Sequence, residues 1–235
     1  MQKFNDLQAL FVHGGGGGAW EWNIWQRVFR VRGWHAHAMD LQPCADGMAA
    51  TRLDDYVEQV VDRALTLSSA PVLIGASLGG LLALMTAPRI APRALVLINP
   101  LPPAQVASRA AAREYPDVVR WGSRRSFAST QRAMPDAGNA ARLYALCRWR
   151  DESGAVLREA CAGVSIAWPR CPTLVFASEH DADVPPQASR SLAELCAGEF
   201  HLLHGSGHVG PLLGHVAHAT AELAMGWMER VLRRS

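Results

Sequence analysis

Apolar residues in this chain gather in two kinds of cluster that take turns. Short, nearly unbroken runs of Val, Ile, Leu, Ala and Phe recur at residues 7–12, 72–74, 94–98, 174–177 and 200–203. Runs of that kind suit strands buried on both faces of a sheet. Between them lie segments with helical spacing. In residues 53–68, Tyr56, Val57, Val60, Val61 and Leu65 share one side, as an amphipathic helix requires. The stretch AWEWNIW at 19–25 opens a helix expected to reach about Arg32, where Gly33 ends it, and residues 35–39 form a short second strand. After the strand at 72–74 a helix is expected to begin, with Pro88 to Pro92 breaking the chain before the strand at 94–98. Strands alternating with helices predict a mostly parallel sheet of about six strands, with helices on both faces and right-handed crossovers.

The alternation lapses over residues 101–170. Helical patterns are clearest at 104–114 and 139–150, and no convincing strand is visible. An insertion of this size at the carboxyl edge of a sheet predicts a helical cap over a core formed by residues 1–100 and 171–235.

The length, 235 residues, suits a single domain with a sizeable core. A net charge of +2 gives no chain-wide case for nucleic acid. The insertion, however, holds eleven arginines against six acidic residues, an excess of five, while the rest of the chain sums to −3. The bland reading is that these arginines solvate the outer faces of cap helices; Arg109, Arg113 and Arg120 share one side if their helix persists through Pro116. The alternative is attraction of anionic substrates. The five cysteines are odd in number and form no C-x-x-C pair, so free thiols are expected and a zinc site is not. The first residues lack an apolar segment of signal length, and no run reaches membrane-span length. A cytoplasmic location is therefore expected.

Chemistry concentrates at Gly75-Ala76-Ser77-Leu78-Gly79, a G-x-S-x-G set between a strand and a helix. In that context the pattern describes a nucleophile elbow, which presents Ser77 above a helix N-terminus. A second glycine-rich stretch, His13 to Gly18, follows the first strand. It formally fits a dinucleotide fingerprint, Gly14-x-Gly16-x-x-Ala19 with Asp40 as a ribose contact, but Trp20 and Trp22 sit poorly with the close helix packing of that motif. A hydrolase uses the same loop to aim a backbone N–H, best assigned to Gly15, at the nucleophile, with the Leu78 N–H as its partner. His13 reads as a loop-fixing residue.

After the fifth strand come Glu179, Asp181 and Asp183. Asp183 precedes Val184-Pro185-Pro186 and reads as a helix N-cap. Glu179 stands close to the strand end. Asp181 has no local role of its own and is the preferred acid. His208, in the Gly-rich loop after the last strand, is the preferred base over His201 and His204. His215 and His218 stand three apart on the terminal helix without a third metal ligand.

Ser77, Asp181 and His208 follow three different strands in the order Ser…Asp…His. The chain therefore resembles the α/β-hydrolase superfamily over essentially its whole length, and HGGGGGAWEW is similar to the small capped esterases and hydroxynitrile lyases. Those lyases carry a lysine after the histidine where this chain has Val209, which favours ester hydrolysis. The resemblance implies a Ser-His-Asp serine hydrolase that acts on a small-molecule ester or thioester, needs no cofactor and involves neither nucleic acid nor membrane. A nucleotide-dependent oxidoreductase and a non-catalytic receptor are the competing readings. Acyl chain, alcohol and oligomeric state are not written in the motifs.

Overall fold

A computed structural model describes residues 7–106 and 114–233. The chain begins with strand β1 (Gln8–Val12), a 3-10 turn (Ala19–Trp22), helix α1 (Asn23–Val31), strand β2 (His35–Ala38) and helix α2 (Leu53–Leu65). Strand β3 (Val72–Ala76), helix α3 (Leu78–Ile90) and strand β4 (Ala94–Ile98) follow. The insertion contains β5 (Val118–Val119), α4 (Phe127–Ala133), α5 (Asn139–Leu146), β6 (Glu152–Ser153) and α6 (Gly154–Ala162). Strand β7 (Thr173–Ser178), α7 (Pro186–Leu195), β8 (Glu199–Leu203), α8 (Gly210–Leu213) and α9 (Ala217–Leu232) complete it.

Six strands make one parallel sheet in the order β2-β1-β3-β4-β7-β8. Strand alternation divides the core into two layers. Phe11, Ile74, Val96, Ile98 and Phe176 pack with Trp22, Trp25 and Phe29 of the α1 side and with Met225 and Met228 of α9. Leu10, Leu73, Leu95, Leu97 and Val175 pack with Val57 and Val60 of α2, Leu81 and Leu82 of α3, and Leu192 of α7. A sheet covered on both sides must be apolar on both, which is why the strands read as unbroken runs. The direction of winding reverses between β1 and β3. In such sheets the crevice at the carboxyl ends of those two strands is the usual place for a ligand.

Several elements differ from the sequence expectation. Helix α3 runs through Pro88 to Ile90 and closes on Ala91 at φ 44°, rather than breaking at Pro88. Pro88 falls in the last turn, where it removes only one hydrogen bond, and burial of Leu81 to Leu84 holds the helix in place. The expected helix at 19–32 opens as a 3-10 turn, whose first N–H, that of Ala19, is accepted by Asp40 Oδ1 at 2.8 Å. The helix expected at 139–150 stops at Leu146; Arg150 leaves it to donate its N–H to Gly16 O at 2.8 Å. The insertion does contain strand: β5 and β6 pair antiparallel over two residues each, too short to show as a pattern. Most of the helix expected at 104–114, with Arg109 and Arg113, lies outside the described residues. All five cysteines are free thiols. No helix among the described residues is long and apolar enough to cross a membrane.

Candidate active site

The turn after β3 is forced by its own sequence. Ser77 sits at φ 52° and ψ −118°, a region that non-glycine residues enter only when their surroundings compel it, at a cost of about 1–3 kcal/mol. The surroundings do so here. Ser77 N donates to Ile98 O at 2.9 Å, and Ser77 O accepts from Leu101 N at 3.0 Å and from Gly80 N at 3.0 Å. A Cβ on Gly75 would stand 2.2 Å from Gly79 O, and one on Gly79 would stand 2.2 Å from Val12 O. Both glycines of the G-x-S-x-G set are thus required by backbone-to-backbone approach.

Ser77 faces a cavity of about 490 Å³ whose wall also includes Gly14, Gly15, Leu78 and His208. Asp181 stands behind the histidine. Its Oδ2 lies 2.7 Å from His208 Nδ1, and its Oδ1 accepts the N–H groups of Asp183 at 2.8 Å and Val184 at 2.9 Å. The Asp181 side chain is 1% exposed against 14% for His208, so the carboxylate is screened while the imidazole meets the cavity. Burial by itself disfavours the imidazolium, but the Asp181 charge and hydrogen bond, with Asp183 and Glu21 adding to them, push the His208 pKa up to about 9. Asn99 fixes the loop from below, donating from Nδ2 to His208 O at 2.7 Å and to Ser178 Oγ at 2.9 Å.

Asp183 is not the helix cap that its position suggested. The residue flanking α7 is Pro185, with no side-chain cap, and Asp181 takes the amides of the turn instead. Asp183 lines the cavity. Glu179 is exposed and accepts the Gly205 N–H at 2.9 Å; that bond, together with His204 at 3.4 Å, holds its carboxyl below the usual range.

In the glycine-rich loop, Gly16 N donates to Glu152 Oε2 at 3.0 Å and Gly17 N to Gly14 O at 3.1 Å. The N–H groups of Gly15 and of Leu78, the first residue of α3, are not spent on any hydrogen bond among the described residues. His13 is buried and holds the loop, with Nδ1 2.8 Å from Gly14 O and Nε2 accepting the Leu41 N–H at 3.0 Å. Burial depresses its pKa to about 4, so it is neutral. Asp40, the ribose contact of the dinucleotide reading, is occupied by Ala19 and by Arg150 at 3.3 Å.

Asp181, Asp183 and His208 are the one cluster among the described residues with ligand atoms within 4.8 Å of one another. It fits a metal poorly, because both Asp181 oxygens and His208 Nδ1 are already bonded.

Three carboxylates near the site are not singled out by any sequence motif. Glu152, 2% exposed, accepts from Gly16 N, Ser153 N at 2.8 Å and Tyr56 Oη at 2.7 Å. Asp136 accepts Gly207 N at 3.2 Å and Ser206 Oγ at 3.3 Å in the loop that carries His208. Glu21, 3% exposed, lines the cavity itself. The only available signal was the placing of Glu21 between two tryptophans, in a stretch otherwise reading as core.

A sequence model described as the alpha/beta hydrolase family matches residues 9–224. Among curated protein sequences, none matches. Solved structures share the fold at low identity. Tomato methylketone synthase I, complexed with 2-tridecanone, is 16% identical with a TM-score of 0.75, covering 97% of this chain and 100% of that one. The methylesterase MES16 from Arabidopsis is 14% identical at 0.73, covering 94% and 98%. A thioesterase domain from the curacin biosynthetic pathway is 16% identical at 0.68, covering 94% and 91%.

Proposed function

The chain belongs to the alpha/beta hydrolase family, and from that premise we propose that it cleaves a small-molecule carboxylic ester through an acyl-enzyme intermediate on Ser77. The observation that carries this reading is the 2.7 Å contact of Asp181 with His208, whose ring lines the cavity that Ser77 faces.

In this mechanism His208 Nε2 takes the proton of Ser77 Oγ as the oxygen attacks the ester carbonyl. Asp181 fixes the tautomer, with Nδ1–H toward its carboxylate, and stabilises the imidazolium without itself taking a proton. The Gly15 and Leu78 N–H groups receive the oxyanion, each donor being worth about 3–4 kcal/mol in such sites. His208 then protonates the leaving alcohol. In the second half it draws a proton from water, which attacks the acyl carbonyl and frees Ser77. The steps call on no cofactor. Val209, 7% exposed, puts an apolar side chain beside the histidine.

An acyl thioester is the second reading. Arg124 and Arg132 line the cavity, and neither side chain has a hydrogen-bond or ion-pair partner among the described residues. Guanidiniums so placed suit a leaving group that carries phosphates. The experiment is a panel of aryl esters and acyl thioesters, followed by mass mapping of a serine-directed phosphonate adduct. A label confined to the Ser77 peptide, with loss of turnover, is expected. Full turnover with Ser77 unlabelled overturns the mechanism.

A further inference from the structure

Glu21 is a buried acid in the wall of the candidate site with one oxygen left over. Its Oε2 has no hydrogen-bond partner among the described residues. The loop is shaped around it: a Cβ on Gly17 would stand 2.1 Å from Oε2, so the carboxyl occupies the space that any other residue at 17 would fill. A buried oxygen without a partner costs about 1–3 kcal/mol in a neutral group and more in a charged one. Oε2 is sealed against Gly17, so that cost is smallest when the carboxyl keeps its proton, while the same side chain lines the cavity.

We propose that Glu21 works as a neutral acid that touches the substrate, donating its O–H to a second oxygen and selecting esters that carry an acceptor close to the reacting carbonyl. The proposal rests on the ester-cleaving reading of the same cavity. Its electrostatic setting agrees. Burial pushes the Glu21 pKa up to about 8, against the pull of the Gly18 and Gly14 backbone and of His208. Of the elements packed on the 3-10 turn, β1 and α8 hold no charged residue, β2 holds His35 and His37, and α1 holds Arg27 and Arg30. Among side chains, His208 is the one that pulls on the carboxyl most. Asp181 and Asp183 act on His208 from its other flank. At neutral pH the acid thus keeps its proton and can donate, as no carboxylate can.

The test compares kcat/KM for a hydroxy- or keto-substituted ester with that for its unsubstituted analogue of equal length, in wild type, Glu21→Gln and Glu21→Leu. A preference of roughly 10- to 100-fold for the oxygenated ester is expected in wild type. Glu21→Gln, still a donor, should keep it, and Glu21→Leu should lose it. The wild-type preference should fall as pH rises through about 8, while that of Glu21→Gln stays level. A merely structural Glu21 would move both substrates together and leave the ratio flat with pH. Equal preference in all three proteins, with hydrolysis still dependent on Ser77, overturns the Glu21 proposal and leaves the ester reading standing. Infrared difference spectra of wild type against Glu21→Gln give a readout free of turnover: a protonated carboxyl band at about pH 6 is expected, and its absence overturns the proposal even if no ester is cleaved.

Discussion

The carboxyl edge of the sheet and the insertion at 101–170 meet at one cavity but are held by different forces. At the sheet edge, backbone holds backbone. Ser77 is pinned between Ile98 O and Leu101 N, and its neighbouring glycines are packed against carbonyls of α3 and β1. The insertion has two-residue strands and short helices, and a buried and a half-buried carboxylate fasten it. Glu152 binds the glycine-rich loop and Asp136 binds the histidine loop. One region therefore sets the positions of the candidate reacting groups, and the other sets the shape and charge of the space above them. Variants in the first should abolish turnover in a folded protein. Variants in the second should change stability or selectivity.

The largest effect belongs to the sheet edge. Ser77→Ala should fold with unchanged melting and lose about 10⁶ in kcat, the usual cost of a lost triad nucleophile. A folded variant that keeps more than a few per cent of wild-type activity would remove Ser77 from the mechanism. Next is Asp181→Asn, expected to lower kcat by about 10⁴. The sign of its pH effect is also fixed. His208 must be neutral to accept a proton, so the rate should climb as pH rises through its raised pKa. Deleting the Asp181 charge removes the main cause of that elevation, so the climb should move to lower pH while the plateau drops. Asp183→Asn should shift the climb in the same direction by less, and its kcat should stay far above that of Asp181→Asn. The reverse ranking in steady-state kinetics would transfer the role to Asp183.

These two regions were unequally legible in the sequence. Runs such as 94–98 and 174–177 announce the strands because a sheet buried on both faces leaves no place for polar residues. Gly75 and Gly79 announce the turn because their reasons are local, within a few residues or on the adjoining strand. Pro88 misleads because tertiary burial outweighs one lost hydrogen bond. Asp183 misleads because the residues it would cap two and three positions on, Pro185 and Pro186, have no N–H to donate, and the helix begins only at Pro186. Glu152 and Asp136 carry no signal: their partners lie 136 and 71 residues away, so nothing near them distinguishes them from surface acids in an arginine-rich stretch.

The bracing carboxylate offers the third break. Glu152→Ala would leave Gly16 N and Ser153 N buried without acceptors and the Tyr56 hydroxyl with only the weak acceptor Met48 Sδ at 4.0 Å. At about 1–3 kcal/mol for each such group, with partial relaxation, a loss of roughly 3 kcal/mol is expected, read as a lower urea midpoint at unchanged slope. Burial and the Glu152 charge also hold the Tyr56 phenol well above its ordinary pKa. In the Ala variant that phenol should therefore titrate closer to normal. Unchanged stability would mean that the insertion is held some other way.

The smallest effect sharpens the comparison at the mouth of the cavity, where the arginines of the insertion divide by what they touch. Arg142 donates to Met134 O and Pro135 O, Arg125 to Gly122 O, Arg150 to Leu41 O, and Arg148 lies 3.8 Å above the Tyr144 ring. Those charges are spent on structure. Arg124 and Arg132 line the cavity and are exposed, so they alone among these are placed to meet an anionic substrate. Exposed charge acts over about a Debye length, which shrinks from about 30 Å at 0.01 M salt to about 8 Å at physiological strength. For matched neutral and anionic esters, the anionic one should therefore gain up to about 10-fold in kcat/KM at low salt, through faster encounter. The gain should fade as salt rises, and in Arg124→Gln/Arg132→Gln it should be gone at every salt concentration. Arg142→Gln serves as the control, since its guanidinium is already engaged at the Met134 and Pro135 carbonyls. Should the two esters respond alike to salt in wild type, or should Arg142→Gln weaken the anionic advantage as much as the cavity pair does, the insertion's charge has no part in choosing the substrate.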